Sequence, residues 1–195
     1  MSELDLAFDP APDTVRLNEA GEPEPVQDRL RSAEPWIQDL NQWLGLMRAM
    51  PGHACPDPVR DAEIVSLGLQ LTDDATIAEL NGSWRQKPHP TDVLSFAALD
   101  DAPPVSGDPC LELGDIIVSV TTARRQALEH GHDLLHELRW LVSHGFLHLL
   151  GWDHPDDSQL EAMLHCQEHL LNNGGNLEAT GESSVDATRP SSSSP

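Results

Sequence analysis

The sequence predicts an α+β domain, because short strand-like runs are interspersed with longer segments of helical periodicity. Residues 63–71 (EIVSLGLQL) and 111–120 (LELGDIIVSV) have the alternation and β-branched content of strands. Residues 34–50 place Trp36, Ile37, Leu40, Trp43, Leu44 and Met47 at helical spacing. Residues 133–150 are apolar almost all round after Arg139, which suits a helix buried in the middle of the domain. A chain of 195 residues with 38% hydrophobic content is long enough for one domain with a proper core.

Taken in order, residues 4–8 (LDLAF) alternate and read as a possible first strand. Residues 9–27 hold four prolines and many acids, and are expected to be a flexible insertion or linker. Positions 1–35 carry nine carboxylates against Arg16, Arg29 and Arg31, so they are set apart as an acidic, Pro-rich N-terminal segment. PGHACPDP ends the first long helix. After the strand at 63–71, Thr72 or Asp73 caps a helix over 74–84, with Ile77 and Leu80 facing inward. A polar loop, 85–90, leads to a short strand at 92–96 (DVLSF). The loop DDAPPVSG (100–107) precedes the strand at 111–120. Ser119 or Thr121 then starts a helix that reaches His130 and is ended by Gly131.

Beyond the buried helix, Asp156 or Asp157 caps a last helix carrying Leu160, Met163, Leu164, Leu170 and Leu171. From 174 onward, GGNLEATGESSVDATRPSSSSP is a low-complexity tail expected to be disordered. The expected organisation is thus an N-terminal segment at 1–35, a folded domain at 36–173 and a Ser-rich tail at 174–195.

No apolar run approaches the length of a membrane span. The start, MSELDLAFDPAPD, lacks the basic end and apolar stretch of a signal peptide, so a cytoplasmic protein is expected. Cys55, Cys110 and Cys166 are far apart and form no C-x-x-C, which fits free thiols in a reducing compartment. A net charge of −22 argues against a wide basic surface for duplex DNA or an anionic membrane. It leaves room for a small cationic cleft.

The chemistry concentrates in SHGFLHLLGWDH, residues 143–154. His144 and His148 are one helical turn apart on one face, where two imidazoles can grip one ion. Gly151 follows where a helix can end in a left-handed residue, and the turn can bring His154 to the same ion. Three imidazoles without a fourth protein ligand make an open site of the catalytic zinc type, one Zn²⁺ per chain. Ten His include two further H-x-x-x-H pairs, His132/His136 and His165/His169. Both lie in polar segments without a closing turn, and read as solvated helix faces. Set against the zinc-peptidase pattern H-E-x-x-H-x-x-G-x-x-H, the three His and the Gly fall in place. Gly145 stands where the general-base Glu would be, which disfavours a peptidase.

Three stretches together resemble the YbeY endoribonucleases: LNGSWRQKPHPTDVLSF (80–96), LGDIIVS (113–119) and HGFLHLLGWDH (144–154). The resemblance implies a zincin-like fold with a small mixed sheet packed by helices. It also implies a metal-dependent hydrolase that acts on single-stranded RNA, in small-subunit (16S) rRNA 3′-end maturation and ribosome quality control. Arg85 matches an arginine of the family motif, and its guanidinium can hold phosphate oxygens in a bidentate fork. Lys87 lies on the same loop. Asp115 and Asp153 are candidates for orienting a His ring or positioning RNA. Trp84 reads as a base-stacking candidate or, more ordinarily, as core; Asp92 and Ser95 are weaker candidates for lining the cleft. The implied partners are rRNA and the ribosomal small subunit or an associated protein. A competing reading is a ribosome-assembly factor that binds metal and RNA but turns over little.

Overall fold

A computed structural model describes residues 3–16, 21–101 and 110–173. The tail at 174–195 and most of the loop at 100–107 lie outside them. Four strands, β1 (Glu3–Asp9), β2 (Ile64–Thr72), β3 (Val93–Ala97) and β4 (Cys110–Ser119), form one sheet in the order β1-β2-β4-β3. β1, β2 and β4 run parallel, and β3 pairs antiparallel to β4 at the edge. The alternation read in the sequence is real: Val65, Leu67, Leu69 and Leu71 of β2 are all buried.

Nine α-helices occur among the described residues: α1 (Asp13–Arg16), α2 (Glu24–Arg31), α3 (Glu34–Ala49), α4 (Asp57–Asp61), α5 (Asp74–Arg85), α6 (Ala98–Asp101), α7 (Val120–His130), α8 (Leu134–Leu149) and α9 (Asp157–Asn173). Their ends follow the expected capping chemistry. Asp73 accepts from the Thr76 amide at 2.8 Å, Ser119 from Thr122 at 3.2 Å and Asp156 from Gln159 at 2.8 Å. Gly131 closes α7 in the left-handed region. The short helices α4 and α6 carry no periodicity long enough to be read from sequence.

The main core packs Trp36, Leu40, Trp43 and Met47 of α3 and Leu138, Val142 and Phe146 of α8 with Val65, Leu67 and Leu69 of the sheet. A smaller cluster, Ile77, Leu94 and Ile117 with Leu80 and Phe96, joins α5 to β3 and β4.

The described parts of 9–27, residues 9–16 and 21–27, include two short helices that pack against the domain. Ala11, Val15 and Val26 are buried, as is Leu30 just beyond, and the Ala11 amide donates to the Leu30 carbonyl at 3.0 Å. Pro25 sits in the first turn of α2, where a missing N–H is harmless, so it helps to start that helix. Among the described residues of this stretch apolar side chains are few, but Ala11, Val15 and Val26 all face the core.

A buried ion cluster fastens this segment to the domain. The Asp39 carboxylate of α3 takes the Arg29 guanidinium of α2 at 2.8 Å and that of Arg139 of α8 at 2.9 and 3.1 Å. Arg29 also lies over the Trp36 ring, 4.7 Å from its centroid. Removing the carboxylate strands two largely buried cations. Asp39→Ala is expected to lower stability by about 3 kcal/mol, read as an earlier midpoint in urea unfolding.

Candidate metal centre

Helix α8 starts under an Asp133 cap, whose carboxylate accepts from the His136 amide at 2.7 Å. It ends in a paired closure. The Gly151 amide donates to the His148 carbonyl at 2.9 Å, and the Trp152 amide to Leu147 at 3.0 Å. Gly151 has φ of +84°, a conformation that costs glycine little. Trp152 then anchors the turn by donating its indole N–H to the Ala54 carbonyl at 2.9 Å. The reversal carries His154 back over the exit of the helix.

Three imidazoles converge there as the spacing predicts. The Nε2 atoms of His144 and His148 lie 3.1 Å apart. The His154 ring centroid is 5.6 Å from that of His144 and 5.3 Å from that of His148. One ring nitrogen from each lies within 4.8 Å of the others. Tetrahedral zinc with bonds of 2.0–2.1 Å needs nitrogens about 3.3 Å apart. The pair on α8 already fits, and His154, exposed on its turn, closes the set by a modest ring rotation.

The protonation state also suits a metal. Burial, then the neighbouring His148, holds the His144 imidazole below its ordinary value, and burial does the same at His148. Neutral rings keep a lone pair for an ion. Gln167 of α9 supplies a control that sequence reasoning missed. Its amide donates to the Trp140 carbonyl at 2.7 Å, which turns its oxygen toward His144 Nδ1 at 3.4 Å. That oxygen only accepts, so Nδ1 carries the proton and Nε2 faces the site. No local signal in the sequence joins positions 144 and 167.

The imidazoles open onto a cleft of about 640 Å³ whose lining includes Arg85, Asp92, Ser95, Asp100 and Asp153. Arg85 is the single Lys or Arg among the described lining residues. It projects from the end of α5, where Gln86 adopts a left-handed φ of +58° and the Lys87 amide returns to the Asn81 carbonyl at 3.2 Å. Asn81 also donates to His89 O at 2.9 Å and so ties down the whole loop. Asp92 and Ser95 do line the cleft. Asp153 lies at its rim, and its carboxylate accepts from the His154 amide at 2.8 Å.

Other candidates fall elsewhere. Lys87 is exposed on the loop and is not part of the cleft lining. Asp115 pairs with Phe96 across the β3–β4 ladder and lines a separate pocket with Trp84, Phe96 and Gly68. Ser95 and Ile116, one position along each strand, meet α8 instead. Strand neighbours point to opposite faces, so Asp115 is turned away from the imidazoles and does not orient them. Trp84 is 70% exposed and not core; its ring packs 5.6 Å from that of Phe96. His165 and His169 are exposed on α9, as their polar surroundings predict.

A sequence-family model described as "Endoribonuclease YbeY" matches residues 43–175. The chain is 55% identical over 179 residues to an endoribonuclease YbeY of Synechococcus sp. (strain CC9311), covering 92% of this chain and 100% of that one. It is 55% identical over 175 residues to an endoribonuclease YbeY of Prochlorococcus marinus (strain MIT 9313), covering 90% and 92%. The solution structure of a Thermotoga maritima protein superposes with a TM-score of 0.51 at 22% identity, over 87% of this chain and 89% of that chain. It shares the fold.

Gly145 marks where α8 comes closest to the sheet. A Cβ there would sit 2.8 Å from Cγ2 of Ile116 and 3.1 Å from the Ser95 hydroxyl. The Ile116 methyl branches directly from Cβ and cannot swing aside without turning the whole side chain. Gly145→Ala is expected to cost about 1–3 kcal/mol by overpacking, seen as a lower melting temperature. An unchanged melting temperature would mean that the close approach does not constrain the helix.

Proposed function

The chain belongs to the YbeY family of endoribonucleases, and from that premise we propose a zinc-dependent enzyme that cuts single-stranded RNA. Its proposed task is 3′-end maturation of small-subunit (16S) rRNA and ribosome quality control in the cytoplasm. One observation carries the reading: three imidazole nitrogens and the Arg85 guanidinium meet in a single cleft. Asp92, Asp100 and Asp153 line the same cleft, so a phosphate can settle there only beside strong positive charge. Family membership and the implied target class support the assignment to rRNA.

His144, His148 and His154 would hold the ion as neutral ligands, with Gln167 keeping the His144 ring in the binding tautomer. The bound ion would supply Lewis acidity at the phosphoryl group. Arg85 offers two parallel N–H donors to phosphate oxygens, a contact that strengthens as negative charge builds in the transition state. The net charge of −22 is hostile to the paired phosphate rows of a duplex, and favours a substrate presented as a short unpaired stretch. It also favours delivery by the small subunit or an associated protein. That acidity is the observation behind the second reading, a ribosome-assembly factor with little turnover.

A defined single-stranded RNA separates the two. Metal-replete protein is expected to cleave it, and His148→Ala is expected to lose both cleavage and the ion held by the triad. Equal cleavage by the two proteins would remove the metal centre from the mechanism. Absence of cleavage by both, with RNA still bound, would favour the assembly factor. Arg85 sits on an exposed loop, so Arg85→Ala should leave the fold and metal content unchanged. Turnover is expected to fall roughly 10²-fold or more, the scale for losing a transition-state donor. Arg85→Lys should recover only part of the rate, since an ammonium lacks the fork.

A further inference from the structure

We propose that His130, His132 and Glu137 form a second divalent-cation site, at the turn between α7 and α8, that takes a zinc-class ion. His130 is the last residue of α7, Gly131 turns the chain with φ of +74°, and Glu137 lies in the first turns of α8. The turn folds both imidazoles onto one carboxylate oxygen. His132 Nε2 is 3.1 Å from Glu137 Oε2, and His130 Nδ1 is 3.9 Å from the same atom. One ligand atom from each residue lies within 4.8 Å of the other two. Two imidazoles and one carboxylate are a ligand set that zinc uses, with positions left for water.

The chemistry of the carboxylate makes the case stronger than proximity does. The Glu137 side chain is only 4% exposed, whereas those of His130 and His132 are 58% and 30% exposed. A carboxylate so far from water needs a positive partner. Its ion-pair partners here are imidazoles, which are ordinarily neutral near pH 7. The second nitrogen of His132, Nδ1, is 3.4 Å from the Asp133 carbonyl, which only accepts. In the tautomer that keeps its proton on Nδ1, Nε2 turns a lone pair toward Glu137, acceptor against acceptor. A divalent cation between them satisfies both groups, and the carbonyl contact is the usual outer support of a metal-ligating imidazole. The exposed face of His130 gives the ion a way in.

This ion would not be a second catalytic metal. Glu137 and His144 are seven residues apart on α8, about 10 Å along the axis at 1.5 Å per residue. Paired catalytic metals sit about 3.5–4 Å apart. The second ion would instead clamp the end of α7 to the start of the helix that carries His144 and His148.

The test uses tag-free full-length protein, stripped with a chelator and titrated with Zn²⁺ by calorimetry. Titration with Co²⁺, read by its visible absorption, runs in parallel. Parent protein is expected to take two equivalents. The variant His144→Ala/His148→Ala/His154→Ala should take one, as should His130→Ala/His132→Ala, and the combined variant none. Zinc should also raise the melting temperature of the first variant. A single equivalent in the parent, absent from the first variant, would overturn this site and leave the catalytic centre standing. A second equivalent that survives His130→Ala/His132→Ala would also overturn it, and would point to the exposed pair His165/His169. Should the first variant fail to fold, the parent and His130→Ala/His132→Ala still decide. A drop from two equivalents to one supports the site, and no drop refutes it.

Discussion

Helix α8 has to be buried on nearly every side, and the other elements are arranged to meet that demand. Leu138, Leu141, Val142, Phe146, Leu147 and Leu149 together leave almost no polar face. Each fully buried side chain of this size contributes about 1.5–3 kcal/mol. The sheet covers the helix at Gly145, α3 covers it through Trp43 against Phe146, and α9 covers it through Gln167. Along one edge of the helix, from His136 to His148, the cover thins, and His144 and His148 become half exposed near its C-terminal end. The site is therefore held on the most rigidly enclosed element of the fold, which suits groups that must keep a fixed geometry.

The same burial explains how the chain tolerates its acidity. Asp39 and Glu137 are the buried carboxylates among the described residues, and Asp39 is gripped by Arg29 and Arg139 from two different helices. An ion cluster of this kind need not add stability over an apolar equivalent, but it cannot be half undone. The N-terminal segment thus stays docked although it offers few apolar anchors. Its docking completes the sheet through β1 and the cover over α3.

Those contributions were differently legible in the sequence. The imidazole triad was readable because two signals, helical spacing and a glycine stop, act over a dozen residues. Arg85 needed the wider motif, since nothing local separates it from an ordinary surface arginine. The face that Asp115 occupies was not legible, because alternation says which neighbours share a face and not which face holds the imidazoles. The docking of α1 and α2 was hidden because prolines and acids dominate the composition there, while Ala11, Val15, Val26 and Leu30 supply the buried contacts. Gln167 was invisible, as its contact with His144 spans 23 positions with no pattern between. His132 looked solvated and His130 was only a helix end, because their convergence on Glu137 depends on the turn at Gly131.

Gly145 bears on which chemistries this scaffold can reach. The spacing of its three His matches that of zinc peptidases, so a glycine-to-glutamate exchange looks like the one step between the two activities. The contacts with Ile116 and Ser95 say otherwise, because there is no space between helix and sheet for even a methyl group. A carboxylate at that position would first require α8 to lift from the strands, which would displace the metal ligands it was meant to assist. Placing a general base beside this triad is therefore a problem of helix-to-sheet spacing before it is one of acid–base chemistry.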